Sequence, residues 1–224
     1  AAGVREIDLT LDPDDKVAEA TVDMGEPVLT AEQIPLDVSA GPAALAEQVA
    51  GDPRRRAVDV PIDVAGAGYR MTCVSMGNPH AVIFVEDPAA VPLDHHGSGI
   101  EMAAVFPERA NVHFVRVDSP TEMTMRTWER GSGITLACGT GAAAVCVAGV
   151  LTGRTGPEVL IHLPGGAFSD HLAHRHCLPD QRRINCQFPR LLRMKCHTRV
   201  AVAGHRGPDR NQFFRLLIHA GSPC

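Results

Sequence analysis

The stretch WERGSGITLACGTGAAAVCVAGVLTG, residues 128–153, decides how this chain is read. Gly139 and Gly141 open an alanine-rich apolar run that ends at Gly153, which predicts a helix over 139–153. A helix with so little polarity on any side belongs inside a core. A single cysteine, Cys138, stands immediately before it, and Glu129-Arg130 lie eight to nine residues upstream. The first N–H groups of a helix have no internal acceptor, and the helix dipole adds partial positive charge there. Glycines at 139 and 141 let a ligand approach that backbone, so the turn suits a carboxylate or phosphate. The same field favours a thiolate and predicts a lowered pKa for Cys138. Carboxylate and sulfur side by side suit removal of a proton from the carbon next to the carboxylate.

Two plainer readings compete. The cysteine could simply be buried at a tight strand-to-helix turn. Gly139, Gly141 and Ala144 also match the GxGxxA of dinucleotide sites, which asks for an acidic residue ending the next strand. Here Glu158 precedes the strand VLIHL, and the chain then meets Pro164-Gly165-Gly166. No lysine follows the glycines, which excludes a phosphate-binding P-loop.

Around this helix the pattern is mostly strands. Residues 4–11 (VREIDLTL) alternate as a half-buried strand should, and 19–29 form a second strand ending near Gly25 and Pro27. RAVDVPIDVAG, YRMTCVSMG and HAVIFVED are three more, rich in Val and Ile and broken by Gly, Pro or Asp. GIEMAAVFPE reads as a short helix stopped near Pro107. NVHFVRVDSP, EMTMRTWERG and EVLIHLPGG complete the strands.

The chain of 224 residues, 45% hydrophobic and 4% aromatic, is long enough for a real core. No apolar run approaches the roughly 18 residues of a membrane helix. The start has no signal-peptide pattern and reads as the middle of a longer protein, so the chain is taken as a fragment. Seven irregularly spaced cysteines predict reduced thiols in a cytoplasmic protein. The net charge of −5 hides a break: residues 1–158 hold 23 acidic and 11 basic side chains, and 159–224 hold 3 and 10. Beyond Gly166 no sustained strand or helix pattern is legible, and 7 of the 11 histidines fall after residue 158. That segment reads as out-of-frame or otherwise foreign, with a genuine basic tail as the alternative.

VDMGEPVL (22–29), VSMGNPHAVIFVED (74–87), FPERANVHFVRV (106–117) and WERGSGITLACGTGAAAV (128–145), in this order, resemble diaminopimelate epimerases. The resemblance covers roughly residues 4–166, about the second half of the family's usual chain. It implies an α/β fold of α+β type: a curved, mostly antiparallel or mixed sheet wrapped around a central helix, one of two pseudo-symmetric halves. Residues 1–20 would then be a remnant of the first half with its crossover strand. Residues 21–166 would be the second epimerase domain carrying Cys138, and 167–224 an atypical basic tail, out-of-frame or disordered. The implied activity is interconversion of LL- and meso-diaminopimelate, serving lysine and peptidoglycan synthesis, without pyridoxal phosphate or metal. Two cysteines face opposite sides of the α-carbon, and Cys138 corresponds to the base for the LL substrate.

The resemblance also assigns Gly139 and Thr140 backbone N–H groups to the reacting carboxylate and Glu129 to the α-ammonium. Arg130 would bind a carboxylate, Asn78 and Asn111 would hydrogen-bond the substrate, and His80 would tune proton transfer. The partner implied is a small-molecule substrate, with no nucleic acid and no membrane, and a homodimer is conceivable for the full-length enzyme. The family's other cysteine, in a Cys-Gly-Asn-Gly turn, has no counterpart here. Cys73 reads as a strand interior and Cys146 as core, so this chain alone is expected to be inactive, and its folding alone is in doubt.

Three other functions compete with this reading. A proline racemase-like enzyme of the same fold is disfavoured by GNPH and by Arg130, which suits a second charged group on the substrate. A zinc module from His171, His174, His176, Cys177, Cys186, Cys196 and His197 lacks paired ligand spacing. The basic tail lacks the aromatic interleaving of a nucleic-acid binder.

Overall fold

The computed structural model describes residues 7–15, 17–174 and 194–201. Among these, 11 strands form one sheet in the order β1-β2-β11-β10-β9-β7-β6-β5-β4-β3, with a short strand β8 added beside β7. The strands are β1 (Ile7–Leu11), β2 (Val17–Gly25), β3 (Val60–Val64), β4 (Ala67–Ser75), β5 (Pro79–Phe84) and β6 (Asn111–Ser119). They continue with β7 (Glu122–Glu129), β8 (Gly133–Thr135), β9 (Glu158–Leu163), β10 (Gly166–His174) and β11 (Met194–Ala201). Pairing is antiparallel except for β5 with β6 and β7 with β9. The sheet is therefore mixed and mostly antiparallel, as the resemblance implies.

Helix α3 (Gly139–Leu151) is the element the sheet curls around. It touches β4, β5 and β6 on one side and β9, β10 and β11 on the other. Residues 141–149 are all buried, the arrangement a helix apolar on every side requires. Val22, Met24, Val74, Val82, Val115, Met123, Met125 and Ile161 pack around it from six different strands. A second core lies on the other face, where α1 (Ala43–Gly51) and α2 (Leu93–Glu101) cover Ile62, Met71, Ile83 and Phe114.

Several sequence expectations are corrected here. The helix read as 99–108 is α2, which starts directly after Pro92 and is capped at Met102. Its buried positions Leu93, Gly97, Ile100 and Glu101 show the helical spacing, diluted by two histidines and two glycines. Helix α1, with Leu45 and Val49 buried one turn apart, went unread. Strand β1 exists but is not half-buried: Ile7 is 43%, Leu9 58% and Leu11 52% exposed, and among the described residues β1 is an edge strand bonded only to β2. The sheet also continues past Gly166, with β10 pairing to β9 and β11 closing the gap between β10 and β2. Along β10 the inward positions include Phe168 and then Asp170, both buried, and a charge at a core position hides the strand's alternation. No helix among the described residues is long and apolar enough to cross a membrane.

The pleat of β9 gives a direct check on this packing. Ile161 is fully buried against α3, whereas its neighbour Leu160 is 39% exposed on the opposite face. Ile161→Ala is expected to cost about 2–5 kcal/mol in urea denaturation, and Leu160→Ala less than about 1 kcal/mol. Equal costs would contradict the register.

Candidate active site

Three neighbouring strands and one helix start converge. Parallel pairing of β5 with β6 sets His80 beside Asn111, and antiparallel pairing of β6 with β7 sets His113 beside Thr127. Two residues further along β7 comes Glu129, and Cys138 forms the N-cap of α3 above them.

Cys138 is extended, with no conventional side-chain cap to the helix, and the Gly141 N–H lies on its sulfur, so among the described residues the Gly139 and Thr140 amides keep their donors. Its sulfur lies 3.8 Å from the Thr140 hydroxyl. A Cβ on Gly141 would stand 2.4 Å from His113 Cε1, 2.9 Å from His113 Nε2 and 2.9 Å from Cys138 Sγ. Only glycine permits that approach, because real Cβ contacts do not fall below 3.0 Å. Sulfur and imidazole are thus separated by the space of one methyl group.

The expected acidic thiol is not found. Cys138 is 7% exposed, and burial pushes its pKa up to about 12, with the Glu129 carboxylate adding to the rise. The Gly141 N–H and the Thr140 hydroxyl pull the other way, as the helix start should, but desolvation outweighs them. Cys138 stands as a neutral thiol beside a carboxylate.

The strand residues are tied into one network. His80 Nε2 is 3.0 Å from Asn78 Oδ1, His80 Nδ1 is 2.9 Å from His113 Nε2, and His113 Nδ1 is 3.0 Å from Thr127 Oγ1. Both imidazoles are fully buried. Burial holds His113 down to about 3, and burial, His113 and Arg130 hold His80 well below its ordinary value, so both are neutral.

Asn111 is buried and works as a brace. Its Oδ1 accepts the Arg130 backbone N–H at 2.9 Å, and its Nδ2 donates to the Pro79 carbonyl at 3.4 Å. A carboxamide has two acceptor sites and two donors, so half of its capacity remains. Glu129 accepts from the Thr135 hydroxyl at 2.7 Å across the β7–β8 hairpin. Arg130 donates one Nη1 bond to the Glu108 carbonyl at 2.7 Å, leaving most of its fork of donors.

Two groups beyond the expected site residues also shape this site. Glu101, buried at the end of α2, accepts Trp128 Nε1 at 2.6 Å and the Gly131 N–H at 3.2 Å, with Arg109 3.6 Å away. It clasps both sides of the Glu129-Arg130 turn, where Gly131 takes a positive φ of 76°. His113 is the other; the alternation of NVHFV places it on the same strand face as Asn111, a signal that was available. The described residues bring Asn78, His80, Asn111, Glu129, Arg130, Cys138, Gly139 and Thr140 to this one end of the sheet. Cys73 is instead buried inside β4, with its thiol pushed up to about 12 by burial, and Cys146 is buried in α3 with its sulfur 3.7 Å from the Pro157 carbonyl. The tail histidine and cysteine side chains proposed as zinc ligands lie outside the described residues.

Residues 72–177 match the family model for diaminopimelate epimerase, which carries the match past Gly166. A diaminopimelate epimerase of Desulfitobacterium hafniense is 46% identical over 165 residues, 74% of this chain and 53% of that protein. One of a Picosynechococcus strain is 49% identical over 145 residues, covering 65% and 47%. The chain spans about half the length of the curated relatives it matches. Among solved structures, a hydroxyproline epimerase from Agrobacterium vitis aligns with a TM-score of 0.57 at 15% identity, over 88% of this chain and 53% of that one. A probable proline racemase from Agrobacterium radiobacter aligns at 0.56 and 14%, over 90% and 56%. These two likenesses show a shared fold.

The raised thiol pKa predicts a pH profile. Because only the thiolate reacts, alkylation of Cys138 by iodoacetamide is expected to rise about tenfold per pH unit from neutrality, without a plateau below about pH 10. Glu129→Gln removes a neighbouring negative charge, lowers the thiol pKa and is expected to speed alkylation several-fold at a fixed mildly alkaline pH. A plateau near the ordinary cysteine pKa, or an unchanged rate in Glu129→Gln, would contradict the assignment.

Proposed function

Residues 72–177 of this chain belong to the diaminopimelate epimerase family, and from that premise we propose that Cys138 is one of two thiols of a cofactor-independent amino-acid epimerase acting on LL- and meso-diaminopimelate. The observation that carries the proposal is the cysteine at the opening of α3, beside Glu129 and above the His80–His113 pair.

The substrate's reacting carboxylate takes the open N–H groups of Gly139 and Thr140, and its α-ammonium pairs with Glu129. That pairing offsets the carboxylate charge that disfavours the Cys138 thiolate, so the base form becomes accessible once substrate is in place. The thiolate then removes the α-proton, while charge developing on the carboxylate meets donors already oriented toward it. A second thiol returns a proton to the opposite face. Neither Cys73 nor Cys146 can be that thiol, since Cys73 is sealed inside β4 and Cys146 inside α3. Arg130, Asn78 and the remaining capacity of Asn111 serve the far amino-acid end of the substrate, and His80 orders the network beneath the sulfur.

Two measurements test this. The chain incubated alone with LL-diaminopimelate is expected to form no meso product, because among the described cysteines only Cys138 stands at this site; substantial turnover would contradict the two-thiol reading. Diaminopimelate is expected to protect Cys138 from alkylation, and proline to do so weakly. Protection by proline alone would favour a proline racemase-like enzyme, and protection by neither would leave a non-catalytic anion-binding turn.

A further inference from the structure

We propose that His113 is a positioning residue of this site: held by Thr127, it fixes which nitrogen of His80 carries the proton and thereby which way Asn78 presents its carboxamide. The proposal rests on the reading above, in which Asn78 serves the far amino-acid end of the substrate and His80 orders the network beneath the sulfur.

The argument is one of proton counting along three contacts. A neutral imidazole has one N–H donor and one bare acceptor nitrogen. His80 Nε2 faces Asn78 Oδ1, an acceptor, at 3.0 Å, so Nε2 carries the His80 proton. His80 Nδ1 is then bare and must accept, and the group facing it at 2.9 Å is His113 Nε2, which must donate. His113 Nδ1 is bare in turn and accepts from the Thr127 hydroxyl at 3.0 Å, a group able to donate. Every bond in the series Thr127 to His113 to His80 to Asn78 therefore runs in one direction. Reversing it would leave His80 Nε2 bare and set two acceptors, Nε2 and Oδ1, face to face at the Asn78 end.

The surroundings hold this order in place. Both rings are fully buried and stacked, with centroids 5.1 Å apart and planes 29° from parallel. Burial keeps both from protonating at neutral pH, which would put two cations in contact. His113 also cannot swing away, because the α3 turn at Gly141 closes on its Cε1. With Oδ1 committed to His80, the Asn78 Nδ2 group points away from that ring as a pair of donors. That face accepts an oxygen acceptor such as a carboxylate and rejects an ammonium, so it discriminates between the two ends of an amino-acid group.

Imidazole nitrogen NMR on the 15N-labelled full chain reads the proton directly. The expected result is the Nε2–H form for both His80 and His113 across the neutral range. His113→Gln, which keeps an amide donor toward His80 Nδ1, is expected to preserve the His80 signature. His113→Leu is expected to convert it to a mixture of tautomers and to weaken protection of Cys138 by diaminopimelate about tenfold. A wild-type His80 protonated at Nδ1, or a signature unmoved in His113→Leu, would overturn the proposal, and the first of these needs no variant to fold. If the tautomers behave as stated while diaminopimelate fails to protect the wild-type chain, the relay stands and the substrate reading fails.

Discussion

The close approach of the first turn of α3 to strand β6, with only Gly141 between Cys138 and His113, is the constraint from which the other distances of the site follow. It requires a residue without a side chain at that position and a helix apolar enough to sink into the sheet. It also requires flat, neutral groups on the strands beneath. Given those, the helix opens with unpaired amides at the rim of the core, and the cysteine that caps it is carried into a dry setting. A side chain at 141 would push the helix away from the imidazoles, and the sulfur would move with it.

Burial at that position has two consequences that oppose each other. It concentrates the effect of the helix donors, because screening by water is lost, and it penalises the thiolate that those donors favour. In the free protein the penalty wins, with help from Glu129. A base that stays protonated until its carboxylate neighbour is occupied would not react indiscriminately with electrophiles, and it couples proton transfer to the arrival of an ammonium group. The surrounding polar groups follow the same economy: Asn111 ties β5, β6 and the Arg130 turn together, and Glu101 ties that turn to α2.

Much of this was legible in the sequence. The glycine-rich entry and polarity-free body of 139–153 announced both the central helix and its burial, and the Val- and Ile-rich runs gave the strands from β4 to β7. Local pattern failed where tertiary contacts decide. Helix α2 has its buried Leu93, Gly97, Ile100 and Glu101 diluted by histidines and glycines, and β10 carries a buried Asp170 where alternation asks for an apolar residue. The Cys138 pKa was expected with the wrong sign, because the helix start is visible in sequence whereas desolvation and the nearness of Glu129 are products of folding. The NVHFV alternation sets His113 on the strand face of Asn111, but its tie to Thr127, distant in the chain, arises only through the β6–β7 register.

What the whole account rests on is an amino acid's carboxylate resting on the open amides of α3 beside the Cys138 sulfur. Amide chemical shifts of the 15N-labelled chain titrated with diaminopimelate report that contact directly. The account predicts that the Gly139 and Thr140 N–H signals move downfield in saturable fashion, together with signals of the Glu129-Arg130 turn. Binding that leaves those two amides unmoved, or no binding at saturating ligand, would contradict it.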